Sequence, residues 1–357
     1  MSIDRHSDFN PIPNLLVNNS SKIVKDIGEQ GLLKRIQSFC PTDIVGDDGA
    51  VLAIAPGKKL VVTTDVLVDR VHFSAPRSGA LRDCTTTPED VGWRAAAANL
   101  SDLAAMGASP LGITVGLSLP GDVTVGWVEA LYQGLNLCLK QYNTSILGGD
   151  ICRSSVITVS ITAFGQVLPN RVIRRCNAKP GDAIVVTGSH GASRAGLELL
   201  LHPESGQHLQ AGEREVLIQA HQRPHPRLDC IPHLWNFVKK NSVAGMDSSD
   251  GLADAVVQIC SCSGVGAEIE RNSISLLPEL RQFVSSEQAL EWALYGGEDF
   301  ELVLCLPQQA AQALVEKLGV GAAIIGQIIK GNEVKLVDSQ GVYPQQVLSL
   351  AQGYQHF

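Results

Sequence analysis

The run Asn99-Leu100-Ser101-Asp102-Leu103-Ala104-Ala105-Met106-Gly107-Ala108 constrains the fold more than any other part of the chain. Asp102 lies inside an Ala-rich helical pattern that starts near Asp90 and stops at Gly107, a residue suited to a helix C-terminal cap. A helix of such small residues is built for close packing. A carboxylate within it either faces solvent or is paired, hydrated or bound to a cation.

Four further acidic signatures bear on that choice: Gly46-Asp47-Asp48-Gly49-Ala50, Thr63-Thr64-Asp65, Gly148-Gly149-Asp150 and Asp247-Ser248-Ser249-Asp250-Gly251. Each is expected to put a carboxylate at a turn, a strand end or a helix start. A β-branched strand pattern, Lys59 to Thr64, precedes Asp65, and a shorter one, Ser145 to Leu147, precedes Asp150. Strand ends are where α/β proteins usually present chemistry. Each motif alone also reads as a capped turn. Together they raise a different problem, because clustered carboxylates repel one another and raise each other's pKa unless cations neutralise them. Oxygen ligands with Ser and Thr neighbours, and no matching His or Cys, suit Mg²⁺ bridging carboxylates to substrate phosphates.

The chain has 357 residues and is 45% hydrophobic, enough for a full core and two domains. Its formal charge of −8 argues against a general nucleic-acid or anionic-membrane surface, although bound magnesium can reverse the sign locally. No apolar run reaches the roughly 20 residues of a membrane span. The polar stretch Met1 to Asn19 has no signal-peptide h-region. Nine Cys without a CxxC pair read as reduced core residues of a cytoplasmic protein.

The spacing predicts an N-terminal extension over 1–26, a domain over 27–167 and an α/β domain over 168–357. Helices are expected from Ile27 to Phe39, Asp90 to Met106 and Val125 to Gln141, and strands at Val51–Ile54, Leu60–Thr64, Leu111–Leu119, Val156–Gln166 and Ala183–Thr187. His202 to Arg227 reads as a surface helical excursion. Pro224 and Pro226 forbid a regular helical pairing of His221 with His225 there, which favours a loop. Neither a Walker-type phosphate loop nor a dinucleotide or protein-kinase signature is present. Arg153, Arg171, Arg174 and Arg175 are candidates for phosphate contacts or for a solvated face.

The whole set, in this order, resembles the thiamine-monophosphate kinase family, within the superfamily typified by aminoimidazole ribonucleotide synthetase. The likeness covers roughly Ile27 to Phe357. His72-Phe73, Gly296-Gly297-Glu298-Asp299-Phe300-Glu301-Leu302 and the closing His356-Phe357 resemble the kinase branch in particular. The resemblance implies a two-domain α/β fold of α+β layers, aminoimidazole ribonucleotide synthetase-like, whose N-terminal domain dimerises through its sheet into a homodimer. It implies ATP as co-substrate, several Mg²⁺ ions and transfer of the γ-phosphoryl to thiamine monophosphate, giving thiamine diphosphate. Carried over by motif, Asp48, Thr63, Thr64, Asp65, Asp102, Asp150, Asp247 and Asp250 resemble magnesium ligands. Tyr132, Gly149, Asp150, Arg175 and Ser249 resemble nucleotide contacts. His72, Glu298 and Tyr354 resemble contacts to the thiamine phosphate, with Glu298 either holding the aminopyrimidine or offsetting the thiazolium charge. Ile151-Cys152-Arg153 departs from the family's commoner Thr-Thr-Arg and removes the hydroxyl that would follow Asp150.

The chemistry fits that implication. The acceptor phosphate is largely ionised near neutrality, with a second pKa of about 6, and needs no strong general base. The difficulty lies in bringing two polyanions into line, which several magnesium ions would ease. A superfamily relative that activates selenide should carry a reactive Cys in an N-terminal glycine-rich loop, and none precedes Cys40. A hydrogenase-maturation relative should end in a reactive Cys, whereas this chain ends in His356-Phe357. The rival of another class is a nucleotide-binding module without turnover, which would have little use for the complete acidic set.

Overall fold

The computed structural model describes residues 21–41, 50–75, 85–238 and 243–353. The first helix, α1 (Val24–Ile36), starts a few residues earlier than the sequence pattern implies. The Ile23 N–H donates to Asp26 Oδ2 at 3.3 Å, and the Val24 and Lys25 N–H groups donate to Val123 and Gly121 carbonyls.

The first half of the chain is built on a four-stranded sheet: β1 (Lys59–Val68), β2 (Ser109–Leu119), β3 (Ile146–Arg153) and β4 (Thr158–Val167), in the order β1-β4-β2-β3. β2 and β3 run parallel, and the other neighbours antiparallel. The expected strand at Val51–Ile54 does not form. Val51 is 98% exposed, and no strand among the described residues pairs with that stretch.

Two helices, α2 (Pro88–Ala105) and α3 (Val125–Gln141), cover one face of this sheet. Thr87 caps α2 by accepting from the Asp90 N–H at 3.2 Å, and Pro88 occupies the first turn, where its missing N–H does no harm. The helix ends as its glycine predicts. Gly107 lies at φ +70°, its N–H donates to Ala104 O and the Ala108 N–H to Leu103 O, closing a Schellman motif. The small residues of α2 serve contact. A Cβ on Gly92 would lie 2.0 Å from Leu131 O, and one on Gly134 would lie 1.8 Å from Glu89 O, so α2 and α3 touch backbone to backbone.

The other face of the sheet has no covering layer among the described residues. Leu60, Val62 and Val66 on that face are 45%, 53% and 45% exposed.

The second half carries a seven-stranded sheet flanked by helices. In chain order come β5 (Ala183–Val186), α4 (Ala192–Leu201), α5 (Ala211–Gln222), α6 (Cys230–Phe237), β6 (Ala244–Asp247), α7 (Leu252–Ser263) and β7 (Gly266–Glu270). They are followed by α8 (Pro278–Phe283), α9 (Ser286–Tyr295), β8 (Leu302–Leu306), α10 (Gln308–Leu318), β9 (Ala323–Ile329), β10 (Val334–Val337) and β11 (Gln346–Val347). The strand order is β11-β10-β7-β9-β5-β8-β6. β5, β6 and β8 are buried along their whole length. α7 and α9 pack in one apolar cluster, and α6 and α10 in another.

Ala104 and Ala105, at the end of α2, belong to that second cluster, so α2 is packed against both halves. A helix surrounded in this way is small or apolar over most of its surface, which accounts for its alanine content, and its buried Asp90, Arg94 and Asn99 must find partners. No helix among the described residues is long and apolar enough to cross a membrane.

Candidate active site

A cleft of about 610 Å³ opens where β1 and α2 face the second half of the chain. Asp65 from β1, Asp102 from α2, Asp247 from the end of β6 and Asp250 from the loop before α7 line one end. Short polar side chains hold them in place. Thr63 donates to Asp102 Oδ2, and Asn99 Oδ1 accepts from the Asp65 N–H at 3.1 Å. Ser101 and Ser249 hydroxyls donate to the two oxygens of Asp247 at 2.7 and 3.3 Å. The Asn-Leu-Ser-Asp run therefore faces three ways, towards β1, into the cleft and towards β6.

These carboxylates are crowded. Burial, then the charges of Asp102 and Asp250, pushes Asp65 up to about 6. Burial, with the charges of Asp102 and Asp65 adding to it, pushes Asp247 up to about 7. Burial also raises Asp102, against the opposing hydrogen bond from Thr63 and the charge of Arg175. An all-oxygen donor set under mutual repulsion suits a hard divalent cation such as Mg²⁺. Among the described residues no group of three His, Cys, Asp or Glu side chains forms a ready cage for one ion.

The other end is aromatic and basic as well as acidic. Arg194 lies over the Trp292 ring at 5.2 Å, and Tyr295, His72 and Phe300 line the wall. His72 Nδ1 accepts from the Val68 N–H at 3.1 Å, which leaves Nε2 as the protonated nitrogen. Gly297 and Glu298 both take the left-handed conformation, at φ +67° and +60°. This tight turn is fixed by the Glu298 N–H donating to Ser249 O at 2.7 Å. A non-glycine residue held at positive φ marks a position that its surroundings over-determine.

Of the residues singled out from sequence, Asp65, Asp102, Asp247, Asp250, Ser249, His72 and Glu298 line this one cleft. Thr63 supports Asp102 from below, and Arg175, in a short turn before β5, acts on the same carboxylate. Asp48 and Tyr354 lie outside the described residues, as does the closing His356-Phe357.

The remaining candidates are elsewhere. Thr64 and Asp150 sit on the uncovered face of the four-stranded sheet. Thr64 bonds Thr162 at 2.9 Å, and Asp150, on β3, pairs with Gly116 of β2. β3 is three strands from β1, or roughly 14 Å at ~4.8 Å per strand. Gly149 neighbours Asp150, with its backbone so close to Val115 O that a Cβ would lie at 2.0 Å. Tyr132 is 2% exposed inside the first core and does not line the cleft.

Two expectations about position need correction. Asp65 and Asp150 stand within strands and not at their ends, because β4 continues to pair with β1 as far as Val68 and β2 with β3 as far as Arg153. His221 lies in the last turn of α5 and is 2% exposed, and only His225 belongs to a loop.

Sequence reasoning missed Arg94, Arg194, Trp292 and Tyr295. Arg94 looks like one basic residue in an alanine helix, yet it is buried at the cleft wall. Only the tightly packed surroundings of α2 hinted that a charge there must have a partner.

The two halves match family models described as AIR synthase related protein, N-terminal domain over residues 46–167 and C-terminal domain over residues 179–339. The chain is 50% identical over 341 residues to the thiamine-monophosphate kinase of Synechococcus elongatus, covering 95% of this chain and 99% of that protein. It is similar to the solved thiamine-monophosphate kinase from Stenotrophomonas maltophilia K279a, with 33% identity, a TM-score of 0.73 and coverage of 85% of this chain and 95% of that one. It is also similar to AaThiL complexed with AMPPCP and TMP, with 32% identity, a TM-score of 0.68 and coverage of 90% and 97%. The mixed α/β layers are those the resemblance implies. With two AIR-synthase-related domains and this likeness over nearly its full length, the chain belongs to the thiamine-monophosphate kinase family.

Proposed function

We propose that the chain transfers the γ-phosphoryl of ATP to thiamine monophosphate, giving thiamine diphosphate, the last step in making that cofactor. The observation that carries this reading is one cleft with a four-carboxylate end and an aromatic, Glu298-bearing end. The first end suits metal-bound phosphates and the second a ring system. The similar AaThiL was solved with AMPPCP and TMP together, which supports simultaneous occupancy by donor and acceptor.

Asp65, Asp102, Asp247 and Asp250, with Asp48, Thr63, Thr64 and Asp150 carried over by motif, are the residues proposed to hold several Mg²⁺ ions. When bound, these ions would neutralise the phosphates. Ser249, Arg175, Gly149, Asp150 and Tyr132 remain the proposed nucleotide contacts, although the buried position of Tyr132 gives that assignment no support. His72, Glu298 and Tyr354 are assigned to the acceptor. The residues around the cleft exclude water and align the two substrates, and transfer is direct and in line, because the acceptor oxygen is already anionic.

The uncovered sheet face, with Leu60, Val62 and Val66 on it, supports a homodimer formed through that sheet, which would put Thr64 and Asp150 at the interface. The domain division is assigned to 167/168 and the protein to the cytoplasm. The described cysteines, all free thiols, support the second assignment.

ADP release across a panel of phosphorylated acceptors tests the reading. Turnover with thiamine monophosphate far above the rest is expected, and ATP binding without turnover on any acceptor would identify a binding module instead. With γ-labelled ATP and magnesium but no acceptor, the protein should stay unlabelled; a competent phospho-aspartate would overturn direct transfer.

A further inference from the structure

Arg94 has no part in the function proposed so far. Its side chain is 3% exposed, a burial that a guanidinium tolerates only with partners. It finds them in the other domain. Nη2 donates to Glu298 Oε1, and Nη1 donates to the His221 carbonyl at 2.7 Å and to His221 Nε2 at 2.9 Å. Because Nε2 accepts, the imidazole proton sits on Nδ1 and donates to Ser193 Oγ at 3.1 Å. Burial, followed by the charges of Arg94 and Arg194, holds His221 well below the ordinary histidine range, so it is neutral and adds no second cation. The same Nδ1 is 3.6 Å from Glu298 Oε2, beyond hydrogen-bond length. Glu298 itself lines the cleft and is 33% exposed. One of its oxygens is therefore committed to Arg94, and the other is left for a ligand.

We propose that Arg94 is a positioning residue that neutralises Glu298 and occupies Oε1, so that Glu298 recognises the acceptor through Oε2 by accepting a hydrogen bond from a neutral N–H donor. That donor is the exocyclic amine of the aminopyrimidine, and the thiazolium cation is not the partner. The inference rests on thiamine monophosphate being the acceptor.

Electrostatics separates the two alternatives. An approaching cation meets a carboxylate whose charge is already balanced by a guanidinium in hydrogen-bond contact, while Arg194 in the same wall is itself paired with Glu198 at 2.9 Å and Glu291 also lines the cleft. The attraction that Glu298 itself offers a cation is thus small. A hydrogen bond to Oε2 is undiminished, and a site built to bond an N–H discriminates strongly against an analogue without it. The geometry is fixed from both domains. Arg94 rides on α2, while the left-handed turn at Gly297-Glu298 is pinned to Ser249, and a Cβ on Gly297 would meet Ser249 O at 2.7 Å.

The test compares thiamine monophosphate with the analogue in which an oxo group replaces the amine, a change that leaves the thiazolium intact. Affinities are measured by calorimetry and Michaelis constants by ADP release, on wild type, Glu298→Gln and Arg94→Lys. Wild type should favour the amine by about 100-fold or more. In Glu298→Gln the amide oxygen can stay with Arg94 and an N–H replaces Oε2, so the preference should fall at least about ten-fold or reverse. Arg94→Lys keeps the charge but cannot bridge Glu298 and the His221 carbonyl. It should raise the acceptor KM about ten-fold while leaving the ATP KM within about two-fold. Equal weakening of both acceptors by Glu298→Gln would show that Glu298 is a counter-ion and overturn the proposal. An Arg94→Lys enzyme with unchanged acceptor KM, or with both KM values shifted alike, would overturn the positioning role. Amine-selective binding without phosphorylation of either compound would remove the proposed reaction and leave this recognition standing.

Discussion

At one end of the cleft burial raises the pKa of Asp65, Asp102 and Asp247, the charge of Asp102 adds to the rise of the other two, and among these three Arg175 offsets only Asp102. At the other end Glu298 is paired with a buried Arg94, which α2 carries from the first domain. The same helix serves both ends, supplying a carboxylate to one and a guanidinium to the other. Where the protein supplies its own cation, the carboxylate is left to hydrogen-bond an organic ligand. Where it supplies almost none, the proposed function leaves the charge for ions that arrive from solution with the phosphates. Charge compensation therefore distinguishes the two kinds of subsite within one cavity.

The largest expected effect comes from the uncompensated end. Asp102→Asn and Asp65→Asn should lower kcat by about 10³-fold or more, a loss on the order of 4 kcal/mol of transition-state stabilisation, with the fold intact by circular dichroism. Wild-type-like rates in either variant would erase the contrast between the two ends.

The compensated end should respond differently. Glu298→Ala, and Tyr354→Ala if that ring stacks on the acceptor as the resemblance implies, should raise the KM for thiamine monophosphate by about 10- to 100-fold and alter the ATP KM little. Steady-state kinetics with each substrate varied in turn checks this, and equal shifts in both constants would merge the two subsites.

A smaller effect concerns stability. Asp247 has its folded-state pKa raised from 3.8 to about 7, so the metal-free protein is most stable with respect to this group below pH 4 and loses stability as pH rises through that window. Asp247→Asn removes the penalty. In chelator at pH 8 it should melt about 2–5 °C above wild type, with the advantage gone near pH 4. A variant that melts lower at pH 8 would mean that the carboxylate is not under strain.

Much of this is legible in the sequence alone. Asp102, Asp247 and Asp250 could be read because each lies in a short local motif, and the end of α2 followed from Gly107 alone. The strand ends could not be read, because the last residues of β1 and β3 are ordered by pairing with β4 and β2, which is not a local property. The same limit hid the role of Arg94, whose partner Glu298 lies 204 positions away and belongs to another domain. It also hid the separation of Thr63 from Thr64. Adjacent in sequence, they point to opposite faces of β1, one to Asp102 and the other to Thr162.

Magnesium binding followed by calorimetry at pH 6.5 in two buffers of different ionisation enthalpy tests the unequal compensation most directly. With Asp65 raised to about 6 and Asp247 to about 7, both are partly protonated at that pH, and an incoming cation must displace their protons. The binding enthalpy should therefore depend on the buffer, the dependence should shrink in Asp65→Asn and Asp247→Asn, and Glu298→Gln should leave it unchanged. Binding without proton release, or release that persists in both aspartate variants, would contradict the assignment of the uncompensated charge to the acidic end.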